Sequence, residues 1–474
     1  MTPSSDHPPM PAKLRIPMRT VFIAVSISAV FVAAILVRRS TTLMQAPAVS
    51  SPLAPLTAEQ TLAQFPAPSG TSATDRALGE VLAKVREKSG DSARWVNLGD
   101  ALAQMLRDTA DEKYYDHAEA AYQYALRIQQ RSVDAMTGMA WVTGGRHQFD
   151  QSRDWANRAL ALDADNAAAC GILGDADVEL GEYDAAYAHY QKMMDLKPDL
   201  SSWSRGAHLL WLTGDEKKAR WLMEKAIKAG GPFAENTAWC RAKLAMMLFH
   251  QGAFISAAQT LEPSLKGGSK NIHVQLAAGR IAAAREDFAA AEKHFQTVLE
   301  AGPNHDALVA LGDLCMAKGD KAGAEKFFGQ VEALEAAQIA RVGHSHMAMA
   351  KFYADHDRNL IEALRMAEAR KLTRNVNEAD TLAWVYFKNG DQPRAIEAIK
   401  RALSQKTQDA EIHFHAGMIA AKFGDRVSAQ KHLQTALSLN PRFGVLQAPV
   451  AVATLEQLGS VPATAARGTA GDTR

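Results

Sequence analysis

The sequence predicts an all-α fold, a solenoid of helix-turn-helix repeats preceded by one transmembrane helix. Three features predict it: C-terminal segments that repeat at a fixed offset, small residues where paired helices must touch and turn, and an uncharged run near the N-terminus. No stretch shows the apolar-polar alternation of a β-strand. With 474 residues, 47% of them hydrophobic and 22% charged, the chain is long enough for an extended array.

The first element is the uncharged run TVFIAVSISAVFVAAILV, residues 20–37. As a helix, its 18 residues are about 27 Å long, which nearly matches the hydrocarbon thickness of a bilayer. Three basic residues precede the run and two follow it, so the positive-inside rule predicts a cytoplasmic tail at residues 1–19. We therefore expect a single-pass protein of the cell (inner) membrane, with the rest of the chain on the periplasmic or extracytoplasmic side.

The alternative for this segment is a cleavable signal peptide. Ala46-Pro47-Ala48 resembles a small-x-small cleavage site. Arg38 and Arg39, however, interrupt the stretch that should lead to cleavage, and the apolar run is long. These features favour an uncleaved anchor.

Residues 38–74 are rich in Ala, Pro, Ser and Thr and show no sustained apolar period. Such a composition predicts an extended linker between the membrane and the folded array. From residue 75 the apolar residues follow a helical period, which predicts an N-terminal capping helix over 75–91.

Two segments near the C-terminus show the repeat most clearly. Leu382–Gly390 and Ala416–Gly424 read alike, and their glycines are 34 residues apart. Each segment is followed by an alanine, Ala395 or Ala429, where a second helix must approach the first. A period of this length, with Pro441 after the second helix, is typical of a helix-turn-helix solenoid.

The chain over residues 92–441 resembles the tetratricopeptide repeat (TPR) family. One unit shows the family pattern well, with Leu173-Gly174 in the first helix, Gly181 at the turn, and Ala186 and Tyr190 in the second helix. The last units look most like bacterial TPR proteins without an attached enzyme domain. The resemblance implies a right-handed superhelix of about ten units, a groove lined by the first helix of each unit, and a protein or peptide partner.

Some units depart from the family pattern. His147 and Arg358 stand where the turn glycine belongs. After the last unit, residues 442–474 contain a short apolar pattern and a polar end, which predict a C-terminal cap and a disordered tail. Stacked repeats need such caps because each unit buries its apolar face only against its neighbours.

Charge and cysteine content exclude several classes of function. Lys and Arg total 53 against 52 for Asp and Glu, so the net charge of +1 gives no basic field for nucleic acid, and we expect no nucleic-acid partner. Cys170, Cys240 and Cys315 show neither metal-site nor disulfide spacing, and we expect them to be buried.

No catalytic or metal-binding motif is present in the sequence. Neither an HExxH, a GxSxG nor a phosphate-binding loop occurs. His344 and His346, like His413 and His415, are two positions apart, which points them to different sides of a helix. The sequence therefore predicts a chain that is not an enzyme, with no catalytic residue, cofactor or metal.

The TPR resemblance also selects a set of candidate partner-binding residues. At the groove-lining positions of the first helices it places mainly large aromatic rings, which are common anchors of protein interfaces. This set is Trp141, His208, Trp211, Trp239, Phe249, Phe352, Trp384, Phe387 and Phe414. The alternative is that some of these rings fill contacts between helices. The Lys and Asn pair that clamps a peptide carboxylate in some TPR grooves is absent, so we expect an extended apolar or aromatic peptide.

The function predicted from these features is a non-catalytic, membrane-anchored scaffold that holds a partner polypeptide during cell-envelope assembly or maturation. Two alternatives stay open. The chain could be an accessory subunit that docks a separately encoded enzyme, or a signalling adaptor that faces the cytoplasm. The sequence does not set the oligomeric state.

Overall fold

The computed structural model describes residues 56–459 except 66, 69, 71, 110, 232–233 and 343–346. The predicted cytoplasmic tail, transmembrane helix and C-terminal tail lie outside this part of the chain. Among the helices that it contains, none has the length and apolar character needed to cross a bilayer. The membrane anchor therefore stays a prediction.

The described residues form α-helices joined by short turns, with no β-strand among them. The all-α prediction is confirmed for this part of the chain. The helices are α1 (Ala58–Leu62), α2 (Ala73–Glu87), α3 (Ser92–Thr109), α4 (Lys113–Ile128), α5 (Val133–Gly145), α6 (Phe149–Leu162), α7 (Ala167–Glu179), α8 (Tyr183–Leu196), α9 (Leu200–Leu212), α10 (Glu216–Ala229), α11 (Ala234–His250), α12 (Phe254–Lys266), α13 (Ile272–Ala284), α14 (Phe288–Leu299), α15 (His305–Ala317), α16 (Lys321–Val342), α17 (Met347–Asp355), α18 (Leu360–Glu368), α19 (Val376–Lys388), α20 (Gln392–Ala402), α21 (Ala410–Lys422), α22 (Arg426–Leu439) and α23 (Gln447–Gln457).

Consecutive helices pair as hairpins, from α3 with α4 to α21 with α22. We call the first helix of each hairpin helix A and the second helix B. Successive A helices also contact one another, as α11 does α13 and α17 does α19, whereas successive B helices form no comparable contacts within the described chain. The A helices therefore form the inner layer of the solenoid and the B helices the outer layer. Helices α2 and α23 pack against the first and last hairpins.

The turns within hairpins need a left-handed backbone, which glycine adopts at least cost. Gly181 and Gly424 have φ of 75° and 86° at these turns. In one unit without a glycine at this turn, His147 itself takes a φ of 59°. The prediction at Arg358 is wrong, because the left-handed residues of that turn are its neighbours Asp357 and Asn359, at 52° and 37°.

The A and B helices approach closely where helix A has a glycine. A Cβ at Gly312 would lie 2.2 Å from Cε1 of Phe328, and one at Gly279 would lie 2.4 Å from Cε1 of Phe295. The aromatic ring of helix B thus occupies the space that a side chain on helix A would need. The three cysteines are free and buried, which confirms their prediction.

The predicted linker over 38–74 is wrong at its C-terminal end, because α1 lies within it. Thr57 caps α1 through a capping box. Leu62, at the end of α1, and Phe65, just after it, are buried. The Phe65 ring lies 6.4 Å from that of Trp95, so this segment covers the first hairpin. The few large apolar residues of this stretch are too scattered to give a helical period in the sequence.

Contacts also connect hairpins that are far apart in sequence. The backbone N–H of Val376 donates to Oη of Tyr183 at 2.9 Å, across 193 residues. Nδ2 of Asn440 donates to the carbonyl oxygen of Phe249 at 2.8 Å, across 191 residues. The turns within hairpins of one part of the array therefore pack against loops between hairpins that come 191 to 193 residues later in the chain. This separation is a little under six 34-residue repeats. We call this contact the turn-to-turn stacking of the superhelix.

Candidate functional site

The aromatic residues predicted to line the groove are mostly packed inside the helix layer. Phe249, Phe352, Trp384 and Phe414 are only 2% to 5% exposed. Their rings contact neighbouring hairpins, and Trp384 stacks on His415 with ring centroids 4.2 Å apart. The expectation of free ring area for a partner is not met at these four positions, because adjacent A helices are close enough to cover the rings.

The other predicted residues keep more contact with solvent. Trp141, His208, Trp239 and Phe387 are half-buried, while Trp211 is 9% exposed. The structure does not bring the nine residues together as one cluster, since they belong to separate hydrophobic groups. Partner binding by the half-buried residues stays a prediction.

Charged and imidazole side chains form a second feature of the inner layer, of which sequence reasoning selected only His208. We call His208, Lys243, His273, Arg280 and Asp306 the inner charged row; all five lie on A helices, from α9 to α15, and are half-buried or exposed. Burial, with Arg280 nearby, lowers the pKa of Lys243. Burial, with Lys243 nearby, lowers the pKa of both histidines to about 4. Desolvated groups of one sign therefore act on one another across several hairpins.

Next to this row, α7 and α9 form a hydrogen-bonded group. Nε and Nη2 of Arg205 each donate to the Asp175 carboxylate at 2.9 Å, and Oη of Tyr190 donates to the same carboxylate at 2.7 Å. On the next turn of α7, burial and the nearby Glu378 and Asp175 carboxylates raise the pKa of Glu179 to about 7. This end of the inner layer is therefore polar and carries both signs of charge.

A cavity of about 680 Å³ lies between the C-terminal end of α3 and the helices α11 to α13. Its lining combines small and apolar residues with four charged side chains, Asp108, Glu235, Arg241 and Lys270. Burial raises the pKa of Glu235. Like the inner charged row, the cavity therefore carries charged side chains of both signs.

Five ionisable residues meet near the C-terminal end of the inner layer. We call Lys351 and Asp355 of α17, Asp380 of α19, and Glu411 and His415 of α21 the C-terminal ionic cluster. Nζ of Lys351 donates to Oδ2 of Asp355 at 2.6 Å and to Oε1 of Glu411 at 2.7 Å. Nδ1 of His415 lies 2.9 Å from both carboxylate oxygens of Asp380.

Two polar atoms of this cluster have no hydrogen-bond partner among the described residues. They are Nε2 of His415 and Oδ1 of Asp355, and both atoms are buried. His415 is wholly inaccessible to solvent. One ligand atom from each of Asp355, Glu411 and His415 lies within 4.8 Å of the other two. Burial alone would raise the pKa of Glu411, but the Lys351 ammonium outweighs it and lowers that pKa to about 2.

The sequence test for metal ligands did not find this cluster. That test examined His413 and His415 as a pair and overlooked Glu411, four positions before His415 on the same helix. The other two carboxylates, of Asp355 and Asp380, come from the hairpins before it. Two signals were available. Glu411 and His415 have the four-residue spacing of neighbours on one helix face. Asp380 and His415 are 35 residues apart, close to the repeat period, so adjacent A helices present them side by side.

Comparison with known families settles the repeat type. A family model described as tetratricopeptide repeat matches residues 276–338 and 381–442, and a second with the same description matches 167–200. The chain contains tetratricopeptide repeats. These TPR matches, with the helix-A and helix-B hairpins, confirm the resemblance and the α-solenoid class. No curated protein is a significant match.

Three solved structures show a distant likeness to the TPR array. Pseudomonas aeruginosa PilF is 20% identical, with a TM-score of 0.34 over 44% of this chain and 90% of its own. The chain matched in the APC/C hetero-tetramer Cut9–Hcn1 is 17% identical, with a TM-score of 0.46 over 81% of this chain and 66% of its own. PilW, a widely conserved type IV pilus biogenesis factor, is 17% identical, with a TM-score of 0.36 over 42% of this chain and 92% of its own. With TM-scores below 0.5, these likenesses say nothing about the function of this chain.

Proposed function

We propose that this chain is a non-catalytic scaffold that holds an extended segment of a partner protein against its inner helix layer. Curved arrays of TPR repeats offer long inner surfaces that suit such segments. The observation that carries the proposal is the inner charged row. Its residues lie on successive A helices and retain contact with solvent, so an extended chain can reach several of them together.

The same row indicates the chemistry of the partner. Within the described residues, neither Lys243 nor Arg280 forms an ion pair, and burial already disfavours the charged form of Lys243. Two neighbouring cations of this kind gain charge-assisted hydrogen bonds when carboxylates approach them. We therefore propose a segment with acidic side chains, in place of the apolar or aromatic peptide that the sequence suggested.

The membrane placement is also a proposal, and it rests on the uncharged run at 20–37 and on the basic residues around it. In it, the array lies on the periplasmic side of the inner membrane, and the partner belongs to cell-envelope assembly or maturation. Reporters fused after Arg474 test this placement. A reporter active only in the periplasm should give signal, and one active only in the cytoplasm should not. The opposite pattern would favour the cytoplasmic adaptor.

The scaffold proposal is tested by site-specific crosslinking in the intact membrane protein. A photoreactive residue at His273, on the inner layer, should crosslink a defined partner, and one at Lys217, on the outer helix α10, should not. Lys243→Gln with Arg280→Gln should abolish the inner crosslink. The control, Lys217→Gln with Lys326→Gln, removes the same charge from exposed outer positions and should leave it intact. Equal crosslinking in both variants would reject the inner surface. An enzyme as the crosslinked partner would favour the accessory-subunit role.

A further inference from the structure

We propose that Asp355, Glu411 and His415 form a binding site for one divalent transition-metal ion, with Zn²⁺ as the test ion. The site lies in the inner layer at α17 and α21, apart from the inner charged row. It runs against the sequence prediction that the chain binds no metal.

The donor set suits such an ion. One imidazole nitrogen and two carboxylate oxygens are the ligands of many Zn²⁺ sites that keep an open coordination position. Three donors at Zn²⁺ bonding distance lie roughly 3.4 Å apart in tetrahedral geometry. The ligand atoms here are within 4.8 Å of one another. Shifts of about 1 Å in the positions of the ligand atoms, which side-chain rotation can supply, therefore suffice to bring all three onto one ion.

The surroundings of His415 prepare its ring for this role. Its Nδ1 is held by Asp380 at 2.9 Å, and its ring stacks on Trp384. Metal-bound histidines commonly donate their second ring nitrogen to a carboxylate in this way, which fixes the tautomer and the ring orientation. The nitrogen that remains, Nε2, is buried and has no hydrogen-bond partner in the described part of the chain. Burying a polar atom without a partner is unfavourable, and a metal ion would satisfy it.

The balance of charge also favours a cation. Asp355, Asp380 and Glu411 supply three carboxylates to the cluster, and Lys351 supplies one ammonium. A buried group with excess negative charge gains from a divalent ion. Oδ1 of Asp355, which the ammonium does not reach, is a second acceptor without a partner among the described residues.

Lys351 is the internal competitor of the ion. Its ammonium donates to the two carboxylates that would bind the metal, so it must leave when the metal enters. The lysine side chain is 30% exposed, which gives its flexible stem a route towards solvent. This competition distinguishes a metal site from a purely structural ion pair, because removing the ammonium should strengthen metal binding.

The test is titration of the metal-free, full-length protein in detergent with Zn²⁺, followed by calorimetry and by competition with a chromophoric chelator. We expect one ion per chain. His415→Gln and Glu411→Gln should each weaken binding by more than about 100-fold, Asp380→Asn by about 10- to 100-fold, and Lys351→Met should strengthen it by about tenfold.

A matched histidine provides the control. Nδ1 of His432 lies 3.0 Å from Nδ1 of His413, so this pair is the obvious place for non-specific binding near the site. His432→Gln should leave the affinity unchanged. Circular dichroism and the melting temperature show which variants fold. If His415→Gln does not fold, Glu411→Gln replaces it in the test, because the Glu411 side chain is 35% exposed and tolerates substitution better. Binding that survives in Glu411→Gln, is lost in His432→Gln, or is absent from the wild type would overturn the proposal.

Discussion

The interior of the hairpins and the inner layer of A helices are built from different chemistry. Inside a hairpin, glycine and alanine of one helix meet a large ring of the other, as Gly312 meets Phe328, and the contact is apolar. Between successive A helices, the structure instead buries ions such as Asp380 and His415. The hairpin interior follows from the demand for close packing, which any helix-turn-helix array must meet.

The inner layer needs a different explanation. A buried ion pair contributes little net stability, and apolar residues of similar volume commonly replace one without loss. Solenoid packing alone therefore does not account for the C-terminal ionic cluster or the inner charged row. The comparison teaches that the hairpin interior follows from the fold, whereas the charges of the inner layer do not, and the two binding proposals above offer a reason for them. Four experiments can break or sharpen this contrast.

The largest effect is expected in the inner layer, at Asp380. Asp380→Ala leaves His415 buried without its partner and should lower the free energy of unfolding by about 3 to 5 kcal/mol. The pair replacement Asp380→Leu with His415→Phe should restore stability to near the wild-type value, because it removes both charges together. Chemical denaturation measures both. A double variant as unstable as the single one would show that the pair is needed for the fold.

A comparable loss is expected in the hairpin interior, at Trp95. This side chain is wholly buried, stacks on Tyr124 with centroids 4.0 Å apart and donates from Nε1 to the carbonyl of Ser89 at 2.8 Å. Trp95→Ala should cost about 3 to 5 kcal/mol in denaturant unfolding through the cavity it leaves. No polar pair exists here to compensate, so restoring stability needs a large apolar residue, and Trp95→Phe is the control. Equal losses in Ala and Phe variants would contradict this account.

Two glycines test the close approach within hairpins. Gly312→Ala places a Cβ against the Phe328 ring and should destabilise the protein by about 1 to 3 kcal/mol. Gly329→Ala, on the exposed side of α16 with open space around it, should stabilise by about 0.5 to 1 kcal/mol, because alanine favours the helix. Thermal unfolding of the two variants gives the comparison. If both variants were stabilised, helix propensity and not packing against Phe328 would decide the effect at Gly312.

The smallest effect is expected at Glu179 and depends on pH. Burial raises the pKa of Glu179 from 4.5, the value of a solvated glutamate, to about 7, so the folded state holds the proton more tightly than the unfolded state does. The stability that protonated Glu179 contributes to the wild type is therefore fully present below pH 4.5 and is lost as the pH rises through 7. Glu179→Gln should be more stable than wild type by about 2 kcal/mol at pH 8, allowing for partial exposure, and equal to it at pH 4.

The difference between the two proteins is the quantity to follow, measured by urea unfolding at each pH. His208 and His273, whose pKa values burial lowers to about 4, give both proteins the opposite slope, since their stability is lost as pH falls from 6.5 to 4. Subtraction removes this shared contribution. A difference that stays constant with pH would show that Glu179 does not titrate between 4.5 and 7.

The sequence predicts the hairpins well, for a physical reason. Close packing and left-handed turns restrict the residue type at each position, so Gly181, Ala186 and Tyr190 appear at a readable period. The positive φ of Glu286 and His147 shows that the turn persists even where the glycine is lost. Requirements of local geometry of this kind can therefore be recognised from the sequence alone.

The inner layer was predicted poorly because many of its contacts join residues that are far apart in sequence. Lys351 and Glu411 are 60 residues apart, so no spacing rule connects them. Groove position alone also failed to separate Phe414, which is covered, from Trp239, which is half-buried. Whether a ring on an A helix meets solvent depends on how tightly the superhelix winds, and the sequence pattern does not give that quantity.

The turn-to-turn stacking limits how such a protein can evolve. In an open array, a repeat can be gained or lost while every remaining unit keeps its neighbours. Here the deletion of one hairpin between Tyr183 and Val376 would shorten the 193-residue stretch of chain between them and displace the loop that now meets the turn at Tyr183. The length of this stretch is therefore fixed by the fold, and insertions survive only in loops that leave the count of hairpins unchanged.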